Sequence, residues 1–222
     1  YDSHELETGR NAPHWSEADK AVHAELERKT IALAKSVITV SGGVAKAIAN
    51  RYSMDIPHVV SNSPPQKNIR MNSPLRERLE LPADHRVVLY LGGITNGRGL
   101  EALFEAFVRL PEKTHIAFVG RILPHYQRRF DELLIGLGAA RERVHLLGVR
   151  PYDDVIYEVF GADLGFNALE LSCESYQNAL PNKFFEYVFA DVPVISTPQT
   201  DVVKLTQEYH LGRIVADGDI DE

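Results

Sequence analysis

From about residue 85 onward, short, mostly apolar runs alternate with stretches whose apolar residues recur at helical spacing. The runs fall at 87–91, 115–119, 144–147, 163–166, 192–196 and 213–215, and the helical period marks 99–110, 124–137, 152–160, 182–190 and 201–209. Uninterrupted apolar runs are the mark of strands buried on both faces. Their alternation with helices predicts an α/β fold, a Rossmann-like doubly wound parallel sheet covered on both sides. The first sixty residues read differently. A long helix over 16–35, opened by Ser16 with Asp19 three residues on as a capping box, precedes a buried strand at 37–40. A Gly42-Gly43 turn, a helix over 44–51 and a strand at 58–60 follow. The opening Tyr1-Asp2-Ser3-His4-Glu5 reads as the end of a strand. Ser61-Asn62-Ser63-Pro64-Pro65-Gln66-Lys67-Asn68, with two prolines, can sustain neither a helix nor a central strand and is the expected linker. The expectation is therefore one incomplete domain over 1–62 and one complete domain over 63–222, with the chain a piece of something longer.

Composition narrows the possible partners. The longest apolar runs are far too short to cross a bilayer, so no transmembrane segment is expected. The single cysteine, Cys173, excludes an internal disulfide or a cysteine-rich zinc site and fits a reducing, cytoplasmic setting. A formal net charge of -7 argues against nucleic acid as a partner, because that affinity comes mostly from Lys and Arg neutralising backbone phosphates. Any phosphate bound here should be bound locally. His14, His23, His85, His115, His125 and His145 show no metal-ligand spacing, and no metal site is expected.

In doubly wound sheets, ligands bind beyond the carboxyl ends of the strands, near the switch in strand order. Four strand-end loops therefore matter. The first runs from Leu91 through Gly92, Gly93 and Arg98 to Gly99 and opens a helix, so its amides could cradle phosphate with Arg98 supplying charge. Arg98 stands where a Walker A lysine should be and Gly99 where its hydroxyl should be, which excludes an NTPase. The glycine spacing also fails the dinucleotide fingerprint. A glycine-rich turn with a solvated arginine is the plainer alternative. In the second loop, Val119-Gly120-Arg121, a guanidinium can face a ribose or diphosphate, or simply form a surface ion pair. The third, Leu147-Gly148-Val149-Arg150-Pro151-Tyr152, can offer its backbone to a base edge while Val149 packs on the ring, though alone it is an ordinary turn. Asp153 and Asp154 read as first-turn helix charges, and the acidic run at 217–222 as a linker, since neither has metal-loop spacing.

The fourth loop is the most specific. Residues Glu174 to Tyr187 contain Tyr176-Gln177-Asn178-Ala179-Leu180-Pro181-Asn182-Lys183-Phe184-Phe185-Glu186-Tyr187, with Val192-Pro193-Val194-Ile195 after a turn. This resembles the donor-site signature of retaining GT-B glycosyltransferases of group 1, family 4-like, in which an N-K-x-x-E-Y helix start precedes a V-P-V-I strand. Asp2-Ser3-His4-Glu5 resembles the D-x-H-E strand end of that family's first domain, so the resemblance covers nearly the whole chain. It implies that 1–62 is the end of the acceptor-binding domain and 63–222 the donor-binding domain, with its last helix beyond Glu222.

The resemblance further implies a nucleoside diphosphate sugar as donor substrate, no other cofactor, and an acceptor that is a glycan, a lipid-linked group or a small molecule. It puts Arg98, Asn182 and Lys183 beside the diphosphate, where cations make a divalent metal unnecessary. Tyr176 to Leu180 would wrap the sugar, Glu186 would accept the ribose hydroxyls, and His4 would face the sugar across the cleft, unless it is simply an exposed histidine near a terminus. Asn178 stands where the family often has a second glutamate, and can bond a sugar hydroxyl without offering charge. Two other readings stay open. One is a non-catalytic nucleotide-sugar-binding fragment, which turnover would separate. The other is a sugar-nucleotide epimerase, which needs acid and base groups flanking the sugar, a pair absent from the motifs.

Overall fold

The computed structural model describes residues 1–12, 14–64 and 74–221. The opening unit contains β1 (Asp2–Ser3), α1 (Glu17–Leu33), β2 (Ile38–Thr39), α2 (Gly42–Tyr52) and β3 (His58–Val59). Ser16 caps α1 by the expected reciprocal box with Asp19, which satisfies two backbone donors at the helix start. The strands form a parallel sheet in the order β1-β2-β3, and Leu6, Ile31, Val37, Val44 and Ile48 make the core beneath it. Residues 61–64 carry no regular structure, and the remainder of the expected linker, residues 65–68, lies outside the described residues.

The second unit contains α3 (Pro74–Arg78), β4 (Arg86–Leu91), α4 (Leu100–Phe107), β5 (Thr114–Val119), α5 (Gln127–Gly136) and β6 (Val144–Gly148). It continues with α6 (Tyr152–Val159), β7 (Leu164–Asn167), α7 (Glu174–Gln177), α8 (Asn182–Phe189), β8 (Val194–Ser196), α9 (Thr200–Tyr209) and β9 (Gly212–Ile214). All pairings are parallel, in the order β6-β5-β4-β7-β8-β9. This is the 3-2-1-4-5-6 order of a doubly wound sheet, with its reversal between β4 and β7. Alternate residues of the central strands feed two cores. Val88, Tyr90, Ile116 and Phe118 pack with α4 and α5, while Val87, Leu89, Ala117 and Val119 pack with α8 and α9.

The elements follow the hydrophobic pattern, with local departures: the Gly42-Gly43 pair expected as a turn is instead the first two residues of α2, because Ser41 caps the helix there by accepting from Val44 N. The expected helix over 124–137 opens as a 3-10 turn, Pro124–Tyr126, before α5 begins. The strand expected from 192 starts at Val194, because Asp191 adopts a left-handed turn (φ 55°) and Pro193 has no amide hydrogen to give a ladder. Two further helices, α3 and α7, are too short for a 3.6-residue period to reveal.

One contact fixes the site's main helix on the sheet. The Tyr187 hydroxyl donates to Leu89 O (2.9 Å) and accepts from Leu91 N (3.1 Å), so α8 is bonded to the end of β4 through a fully buried side chain. The same turn of helix carries Lys183 and Glu186.

Candidate functional site

The carboxyl ends of β4, β5 and β6 approach one another closely. Gly92 N donates to Val119 O and Gly120 N to Gly148 O, each at 2.9 Å. A Cβ on Gly120 would lie 1.9 Å from Gly92 O, and its φ is 150°, so only glycine fits between the two loops. The resulting ledge borders two shallow pockets. One, of about 220 Å³, is lined by Gly92, Gly120, Val149, Arg150 and Glu186. The other, of about 330 Å³, includes Arg121, Gly148, Val149 and Gln127. Gly93 is exposed beside the ledge, and its carbonyl accepts from the Tyr90 hydroxyl at 2.6 Å.

A third pocket, of about 240 Å³, lies between the two units. His4, Glu5, Val40 and Val44 line one wall, and Arg98, Tyr176, Ala179, Leu180 and Asn182 the other. Arg98 sits over the Tyr176 ring at 5.3 Å from its centroid. His4 is exposed and lies 3.1 Å from the Asp2 carboxylate. Three groups of residues chosen from sequence thus share walls: His4 with Arg98, Tyr176, Ala179, Leu180 and Asn182; Glu186 with Gly92 and Val149; and Arg121 with Val149.

On α8, a helix with no side-chain cap at its start, Glu186 lines the first of these pockets, whereas Lys183 lines none of the three. Lys183 is 9% exposed, and its ammonium has no hydrogen-bond partner among the described residues. It lies 4.5 Å from the centroid of the Tyr90 ring. Burial, aided by the nearby Arg98 charge and opposed by Glu186, pulls its pKa down to about 7. Burial likewise raises the Glu186 carboxyl, and Lys183 moderates the shift. A buried cation without a partner is costly and poised to accept an anion.

Other helix starts at the crevice are already occupied. Glu170 N donates to Gly97 O at 3.2 Å, which sets the Glu170 carboxyl near the Gly97 and Gly99 amides at the start of α4. Burial together with Glu101 and Asp217 raises its pKa. The glycine loop faces an internal carboxyl at this end, and it presents Arg98 to the pocket between the units. At the start of α2, Gly43 N donates to Asp201 Oδ2 at 2.7 Å. Asn178 does not line the pocket between the units. Its Nδ2 donates to Glu174 O, and its Oδ1 lies 3.0 Å from the Thr200 hydroxyl.

The protein matches the sequence pattern of the family described as Glycosyl transferases group 1 over residues 85–222, more than half of its length. The chain belongs to the group 1 glycosyl transferases. Solved structures agree on the fold. HepE of Anabaena, in complex with UDP, matches at 20% identity and a TM-score of 0.79, covering 100% of this chain and 59% of that one. Sucrose-phosphate synthase from Thermosynechococcus elongatus matches at 20% and 0.78, covering 99% and 55%. WaaG, a glycosyltransferase involved in lipopolysaccharide biosynthesis, matches at 16% and 0.65, covering 94% and 71%. No significant match to a curated protein was found. The chain thus spans 59% of the length of HepE, and its two parallel sheets have the GT-B fold in part. No described helix is long and apolar enough to cross a membrane.

Sequence reasoning missed several residues of this crevice. Tyr90 lay hidden in an apolar strand, Glu170 in a loop without a motif, and Arg150 within a quoted turn but without a role. Three of the histidines without metal-ligand spacing meet one another. His85 Nδ1 lies 2.8 Å from His115 Nε2, and His115 Nδ1 lies 2.9 Å from His145 Nε2, so three of them form a file across β4, β5 and β6. Their spacing of thirty residues, one βαβ repeat, was the available signal. Among the described residues no cluster fit to hold a metal ion occurs.

Proposed function

We propose that this chain binds a nucleoside diphosphate sugar in the crevice at the switch between β4 and β7, and that the whole protein transfers the sugar to an acceptor with retention of configuration. The observation that carries the reading is the unpartnered, nearly buried Lys183 ammonium on the first turn of α8. An anion there gains the helix dipole, the Lys183 charge and Arg98 together. The α4 and α2 starts already hold carboxylates. The diphosphate is therefore assigned to α8, with Arg98, Asn182 and Lys183 around it.

The remaining assignments follow from the pockets. Glu186, beside Gly92 and Val149, takes the ribose hydroxyls, and Arg121 and Val149 border the base. Tyr176, Ala179 and Leu180 enclose the sugar, with His4 opposite across the cleft. Arg98 and Lys183 offset the charge that develops on the leaving diphosphate, the task a divalent metal would otherwise perform, so transfer is metal-independent. No side chain is assigned as a covalent nucleophile. The bond from the anomeric carbon to the β-phosphate oxygen breaks as the acceptor oxygen bonds on the same face, and the acceptor's proton passes to the leaving phosphate. No cofactor beyond the donor takes part, and the single cysteine suits a cytoplasmic setting. HepE was solved with UDP, with UDP and glucose, and with UDP-glucose, which makes uracil the first base to test.

The test is calorimetric titration with UDP, GDP and ADP, with and without EDTA, on the wild-type chain and on Glu186→Ala. Selective, EDTA-insensitive binding that Glu186→Ala weakens by about 2–3 kcal/mol is the expected result. A folded chain that binds none of the three would overturn the donor-site reading.

A further inference from the structure

The segment from Glu174 to Leu180 is clamped between the two units, and Asn178 lies at the centre of the clamp. The Ser41 hydroxyl, at the N-cap of α2, donates to Asn178 O at 3.0 Å. From the other side, the Thr200 hydroxyl at the start of α9 lies 3.0 Å from Asn178 Oδ1 and 3.2 Å from Gln177 O. Asn178 Nδ2 closes the turn by donating to Glu174 O at 3.0 Å, and Glu174 pairs through its carboxylate with Arg51 of α2. Asp201, next to Thr200, bonds Gly43 N. The packing leaves no slack, since a Cβ on Gly43 would lie 2.6 Å from Asn178 Oδ1.

The amide therefore acts as donor and acceptor at once, a pairing that a carboxylate cannot supply. Its neighbours Ala179, Leu180 and Asn182 line the pocket, while Asn178 does not. We propose that Asn178 is a positioning residue: its side-chain amide holds the Ala179-Leu180 wall of the sugar pocket by tying it to Thr200 and to the Glu174 turn, which keeps its backbone carbonyl in place for Ser41 of the other unit. The pocket's shape is then coupled to the contact between the units. This inference rests on the donor-site reading only for its ligand, not for its geometry.

The decisive variants are Asn178→Ala, Thr200→Val and the double variant, made in the full chain. Thr200 reaches the pocket only through Asn178 and Gln177, so a structural tie and a direct sugar contact predict different results. Two readouts are used: hydrogen exchange of the amides from 174 to 182, and calorimetric affinity for UDP against UDP-glucose. GDP-mannose or ADP-glucose is substituted if GDP or ADP proves the preferred nucleotide. Both single variants should speed exchange across the segment. Each should also reduce the gain of nucleotide sugar over nucleotide by about tenfold, the scale of one lost hydrogen bond, with the double variant no worse than either. Affinity for the bare nucleotide should change by less than about twofold. Exchange unchanged in Thr200→Val, or a sugar-dependent loss confined to Asn178→Ala, overturns the proposal in favour of direct contact. Failure of the wild type to bind any nucleotide would refute the donor site alone, because the exchange readout decides the positioning role by itself.

Discussion

Lys183 supplies the sharpest prediction, because its protonation and ligand binding must be coupled. With a pKa of about 7 in the empty site, the amine is protonated in only about a tenth of molecules near pH 8. A diphosphate beside it favours the charged form and returns the pKa toward the ordinary lysine value of 10.5. Binding near pH 8 should then take up about 0.9 proton, falling to about 0.1 near pH 6, and affinity should drop close to tenfold per unit above about pH 7. Calorimetry in buffers of different ionisation enthalpy measures the uptake directly, and Lys183→Met should remove it while weakening binding. The same shift has a consequence for stability. A lysine whose folded pKa is depressed leaves the unfolded chain binding more protons between about 7 and 10.5, so stability falls as pH drops through that window and stays low below it. The loss at neutral pH is roughly 4 kcal/mol, and Lys183→Met should recover much of it in the unliganded protein. A wild type that binds UDP without proton uptake, together with a Lys183→Met variant no more stable than wild type, would refute the reasoning.

The other predictions concern single side chains. Glu186→Ala should cost nucleotide binding about 2–3 kcal/mol, and 2′-deoxy-UDP should bind wild type more weakly than UDP yet match it on the variant. Tyr187→Phe leaves the end of β4 without its buried hydroxyl bridge and should lower the denaturation free energy by about 1–2 kcal/mol, measured by urea unfolding. His115 is pushed down to about 4 by burial and by the neighbouring His145 and His85. The unfolded chain therefore takes up the extra proton as pH falls from about 6.5 to about 4, and stability should drop by about 3 kcal/mol across that window. His115→Leu should flatten that part of the stability profile, and a slope unchanged in the variant would mean that other groups cause it.

The alternation of apolar runs and helical periods was sufficient for the layer order and for almost every element, because both are set by contacts within a few residues. The segment from Asn182 to Tyr187 was legible as a site for the same reason. One helical turn carries Lys183, Glu186 and Tyr187, so the group that meets ligand and the group that anchors the helix share a local spacing. Tertiary structure decided how the charges are distributed. Glu170 comes beside the Gly97–Gly99 loop only because β7 lies next to β4, more than seventy residues away in sequence, and this brings a carboxyl near an expected phosphate cradle. Asn178 looked like a sugar ligand by position, but its amide is engaged by α9 and by its own turn, whose carbonyl meets α2 from the other unit. The unpartnered state of Lys183, on which the functional reading rests, follows from Tyr90 lying beneath it on a neighbouring element. Periodicity records which face of an element is apolar. It carries no record of which donor meets which acceptor across the sheet, and the polar chemistry of this site is set by those long-range encounters.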